Sequence, residues 1–138
     1  MKKILLFLAL ICSMGAFAQT QRYYCEVNGI VKELSSALKI GFDFGRNPVY
    51  PAWERLKGEP RIVDENGYEI KDMIDAGNYL SSKGWTLQQA YFSAILRVYH
   101  WVFYKDAESP EKAVEGIMTV DEYNEMKKQR QKANTGKE

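Results

Sequence analysis

Histidine and cysteine are nearly absent from this chain. His100 is the only histidine, and Cys12 and Cys25 are the only cysteines. With one imidazole, two thiols and scattered carboxylates, no ligand cluster has working spacing, so no metal and no other cofactor is expected. Gly41, Gly45 and Gly58 stand alone, which excludes a phosphate-cradling glycine loop. No apolar run is long enough for a membrane helix. The longest one, Ile4 to Met14, follows the basic start Met1-Lys2-Lys3 and precedes the small-x-small tripeptide Ala16-Phe17-Ala18. That pattern predicts a signal peptide over 1–18, cut after Ala18, and export to the periplasm or beyond.

Removing that segment changes the arithmetic. The net charge passes from +1 to −1 because Lys2 and Lys3 leave, and Cys25 becomes the only cysteine. A lone cysteine cannot form an intrachain disulfide, even in an oxidising compartment. Ile11 before Cys12 is not the small residue a lipid-anchor site needs, so the chain is not expected to be a lipoprotein. Residues 124–138 hold five Lys/Arg against two Glu, which leaves an acidic body. That balance argues against nucleic acid as a partner. The run Lys127 to Lys132 reads as a solvated helix end, with weak contact to an anionic surface as the alternative.

What is present is periodicity. Tyr23, Cys25 and Val27 alternate with Tyr24, Glu26 and Asn28, and Asn28-Gly29 reads as a turn. Leu38, Ile40, Phe42 and Phe44 then alternate with Lys39, Gly41 and Asp43, a strand with one buried face that Gly45 ends. Residues 45–61, with three prolines, read as a long loop carrying Tyr50 and Trp53. Asp64-Glu65-Asn66-Gly67 is a turn between two short extended pieces. Asp72 caps a helix running to about Lys83, with Met73, Ile74, Gly77 and Leu80 turned inward and Gly84 as its left-handed stop. Trp85 to Ala94 and Arg97 to Lys105 return to period two, as antiparallel strands joined near Ile95-Leu96. Ser109-Pro110 and Thr119-x-x-Glu122 each start a further helix. The expected fold is α+β: an antiparallel sheet of about four strands with one helix packed on a face, in ββαββ order, plus short C-terminal helices. The expected organisation is a small α+β domain over 19–107 and a helical, basic C-terminal extension over 108–138.

The segments LKIGFDFG, IVDENGYEI, KDMIDAGNYLSSKGWTLQQAYF and VYHWVFYKD resemble a family of small exported Bacteroidetes proteins of unknown function. The helix ending in Gly84-Trp85 is also similar to a wider group of small domains. The resemblance covers about half of the chain after residue 18 and implies export and a strand-helix-strand core. It implies no activity. Gly77 departs from it, standing where such helices place a large aliphatic.

Few residues offer chemistry. Cys25, His100 and Asp43 could in principle form a nucleophile, base and orienting acid. Cys25 lies in an apolar stretch and reads as a buried hydrophobe, with a reactive thiol as the alternative. An enzyme is therefore not expected. The aromatic residues are the richer signal: three Trp, nine Tyr and six Phe, gathered at 85–104 and in the 45–61 loop. They serve either to cover a small sheet or to bind. The candidate contact residues are Tyr50, Trp53, Trp85, Tyr91, Tyr99, His100 and Trp101. The function this suggests is an exported, non-catalytic interaction module that binds a protein partner or itself through an aromatic sheet face and the 45–61 loop, with homodimerisation through the open sheet face as one form of it. The alternative is a small-ligand or glycan binder using Trp and Tyr stacking.

Overall fold

The computed structural model describes residues 19–32, 38–45, 56 and 58–135. Residues 1–18, where a signal peptide is expected, Tyr50, Trp53 and most of the 45–61 loop lie outside the described residues. The elements are β1 (Gln21–Val31), β2 (Leu38–Asp43), β3 (Ile62–Val63), α1 (Met73–Ser82), β4 (Thr86–Ser93), β5 (Val98–Ala107), α2 (Pro110–Ala113), β6 (Met118–Thr119) and α3 (Val120–Thr135). Four strands form an antiparallel sheet in the order β2-β1-β5-β4, and β3 pairs with β6 in a separate two-stranded ladder. The chain is an α+β fold, as expected.

Period two sets the layers. Tyr23, Cys25 and Val27 of β1, Phe42 of β2 and Phe103 of β5 are buried on one face. Phe44 and Trp85 join them edge to face, with ring centroids 6.0 Å apart. β5 is largely apolar or aromatic on both faces, and it pairs with β1 on one side and β4 on the other.

The expected turn at Asn28-Gly29 does not form. β1 runs through it to Val31, with Gly29 across from Ile40 on one side and Tyr99 on the other. Pairing on both edges outweighs local turn chemistry there. The missing side chain serves packing instead, since a Cβ on Gly29 would stand 2.9 Å from Met73 Sδ.

α1 begins and ends where its local signals predict. Asp72 Oδ1 accepts from the Asp75 amide at 2.8 Å, Gly84 adopts φ 83°, and the Trp85 amide donates to Leu80 O at 3.0 Å. The inward stripe is Met73, Ala76, Tyr79 and Leu80. Ile74, expected inward, is exposed. Gly77 lies over the sheet, and a Cβ there would stand 3.1 Å from Trp101 Cζ3.

The chain beyond Glu108 adds to the same core. Ser109 caps α2, and Ala113, Val114 and Ile117 are buried in the main cluster. The Thr119 amide donates to Glu122 Oε2 at 2.9 Å while Glu122 N–H donates to Thr119 Oγ1 at 3.3 Å, a reciprocal cap at the start of α3. The Tyr123 hydroxyl reaches Asn66 O at 3.1 Å, and past Met126 every residue through Asn134 is exposed. Among the described residues no helix is long and apolar enough to cross a membrane.

Candidate functional site

The proposed aromatic contacts divide between the two sides of the sheet. Trp85 sits just before β4 and is buried in the core, 2% exposed. Its Nε1–H finds no acceptor among the described residues. Trp101 and Tyr99 point to the α1 side, Trp101 half-buried beneath Gly77 and Tyr99 stacked obliquely on Phe92 at 4.6 Å. Tyr91 and His100 share the other side, ring on ring at 4.6 Å and 10° from parallel. The expected single platform therefore reduces to Tyr91 and His100, and Trp85 belongs to the core.

A bulge on β4 explains part of this sorting. Leu87 pairs with Phe103 and Gln89 with Val102, so one extra residue lies between them. Strict alternation would put Leu87 with Gln89 and Tyr91. The bulge turns Leu87 to the α1 side, with Ala90 and Phe92.

On the side away from α1, polar side chains pair across strands. The Arg22 guanidinium donates from two nitrogens to both Asp106 oxygens, at 2.8 and 2.9 Å, and lies 4.1 Å from the Tyr104 ring centroid. That ion pair holds the Asp106 carboxyl below its usual range and raises Arg22. His100 Nδ1 stands 2.6 Å from Glu26 Oε1. A carboxylate only accepts, so Nδ1 carries the proton in this contact and Nε2 faces elsewhere. Next to it is a cup of about 230 Å³ lined by Glu26, Asn28, Ile30, Lys39, Gly41, Glu59, Val98 and His100.

Cys25 and His100 lie on opposite sides of the sheet, since Cys25 pairs with Phe103 and His100 with Asn28. The sheet stands between thiol and imidazole, so they form no dyad. Burial pushes the Cys25 thiol well up, with the carboxylates of Asp43 and Glu26 adding to the shift. Among the described residues no group of three or more His, Cys, Asp or Glu side chains is placed to hold a metal ion.

Of the β4 edge, the sequence reading singled out Tyr91 but not Leu87 or Phe92. β4 is the last strand of its sheet, its residues are exposed from Thr86 to Phe92, and its sequence TLQQAYFS carries no charge. Beside it on the α1 side, Leu87, Phe92 and Tyr99 are each about half exposed, and Ile74 is more so. Ile95 and Leu96 at the β4–β5 turn extend this strip, Ile95 at 96% exposure. The sequence signal was available: an uncharged strand with neither Lys nor Pro to blunt its edge.

No family model, no curated protein and no solved structure matches the chain.

Proposed function

We propose that the protein is an exported, non-catalytic interaction module that docks a second strand onto β4, supplied by another copy of itself or by a partner protein. The observation that carries this reading is the uncharged, exposed edge of β4 flanked by the apolar strip of Leu87, Phe92, Ile95 and Leu96. Natural sheets blunt such edges with charges, prolines or covering segments, because unpaired N–H and C=O groups recruit other strands. β4 has none of the first two.

A second copy is the simplest occupant. Two β4 strands meeting antiparallel about Ala90 would set Gln89 of one copy across from Tyr91 of the other, both on the side away from α1, with the two Ala90 residues paired on the α1 side. No like charges would oppose, and the two-fold arrangement closes on itself. Export rests on the 1–18 leader pattern, and the exposed basic turns of α3 support weak contact with anionic surfaces.

The glycan alternative now rests on Tyr24 and Tyr91, the exposed rings of the side away from α1. Sedimentation equilibrium from low to high micromolar concentration tests the docking reading. The wild-type mass should rise toward a dimer, and Phe92→Lys should stay monomeric with an unchanged melting temperature. A wild-type monomer throughout, with tryptophan emission that responds saturably to an oligosaccharide, would instead favour the glycan reading.

A further inference from the structure

The cup on the side away from α1 has a chemistry that β4 docking does not use. Among the described residues its acidic groups are Glu26 and Glu59, and Lys39 is the one cationic side chain apart from His100. Two carboxylates against one ammonium leave this described lining acidic. Acceptors dominate it. Asn28 Oδ1 is buried without a hydrogen-bond donor, one of two such side-chain atoms among the described residues. Glu26 gives one oxygen to His100 and keeps the other. Ile30 and Val98 supply aliphatic wall.

The mouth is built to open. Gly41 lies directly across from Asn28, and its missing side chain lets Glu59 lie above it, with Cδ 3.8 Å from where a Cβ would stand. Lys39 Nζ donates to Glu59 Oε2 at 2.9 Å, and both side chains are more than half exposed. Exposed pairs of this kind are worth little and exchange partners readily. His100, in contrast, is held from two directions, by Glu26 and by the Tyr91 ring. A firm floor under a weak ion pair is a binding arrangement rather than a packing one.

We propose that this cup binds a small primary ammonium compound, which displaces Lys39 from Glu59. The ammonium donates to Asn28 Oδ1, Glu26 and Glu59, and its short alkyl body rests on Ile30 and Val98. An unpaired buried acceptor is costly, and a charged donor is the partner that relieves it most.

The test is a titration of the ¹⁵N-labelled full chain with 1,4-diaminobutane, and separately with sodium acetate and with glucose, read by amide and Asn side-chain shifts. The diamine should give saturable shifts at Asn28, His100 and Gly41, while acetate and glucose give none. Asn28→Leu removes the unpaired acceptor, so it should fold at least as well as wild type and bind the diamine about tenfold more weakly. Lys39→Ala removes the resident competitor and should tighten binding. Shifts produced by acetate or glucose instead, or diamine binding undiminished in Asn28→Leu, would overturn the proposal. Because Phe92 faces the α1 side and does not line the cup, Phe92→Lys should leave the titration unchanged, which separates this result from the docking reading.

Discussion

Along β1, Tyr23, Cys25 and Val27 turn toward α1 and are all but sealed, while Arg22, Tyr24 and Glu26, each one residue away, turn to the other side. The same pairing register serves both. Phe103 stands beside Cys25 on the sealed side, and Asp106 beside Arg22 on the open one. The sealed side is held by apolar burial and ring packing, which are non-directional and strong in sum. The open side is held by specific pairs, Arg22–Asp106 and Glu26–His100, which are directional, and the first of these is exposed to solvent. Stability is therefore expected to reside on one side of the sheet. Chemistry that can exchange partners resides on the other.

The sharpest way to break this comparison is to delete a large side chain from each side. Phe103→Ala removes a ring that is 1% exposed and should cost about 3–5 kcal/mol by urea unfolding. Tyr24→Ala, on the other side and 49% exposed, should cost less than about 1 kcal/mol. Equal losses at the two sites would mean that the open side is a second core.

Cys25 gives a kinetic version of the same contrast. Its thiol is buried and its pKa pushed up, so the native protein should react with iodoacetamide at pH 7.5 about a thousandfold more slowly than the urea-unfolded chain. Fast native labelling would show that the sealed side opens readily.

The fit under α1 yields a smaller effect. Gly77→Ala should bring ~1 kcal/mol of helix propensity, but its Cβ meets Trp101 Cζ3 at 3.1 Å. The expected result is a net gain well below that figure, with the full gain recovered in a Trp101→Leu background, measured as a double-mutant cycle.

The smallest effect is the acid dependence of the open side. Arg22 holds the folded-state pKa of Asp106 below its ordinary value of 3.8. Such a contribution is fully present above that value and is lost as pH falls through the depressed one. The melting temperatures of wild type and Asp106→Asn should thus differ slightly at pH 7 and converge toward pH 2. A gap that widens on acidification would contradict the assignment.

Local chemistry made much of this fold legible. The Asp72 cap, the Gly84 stop, the Ser109-Pro110 start and the Thr119-x-x-Glu122 box are each decided within a few residues, and each stands where the sequence placed it. Features set by distant partners were not legible. Asn28-Gly29 has turn chemistry, yet pairing to β2 and β5 makes it strand. The bulge between Leu87 and Gln89 depends on how β4 meets β5, and one residue of slip exchanges the sides. The Ile62–Thr119 pairing joins segments far apart in the chain. The contact residues suffered most, because a residue's side depends on register. Tyr99 and His100 are neighbours in sequence and face opposite ways, and the Glu26 partner of His100 lies in another strand.

Among the described residues β4 has no strand on its outer side, and hydrogen–deuterium exchange at two protein concentrations tests most directly whether a second strand docks there. Amides of β1, paired on both sides, should be protected at any concentration. Outward amides of β4 should exchange quickly in dilute solution and become protected as concentration rises, with Phe92→Lys abolishing the change. Protection of those amides that is already complete at the lowest concentration, in a protein that remains monomeric, would contradict the account.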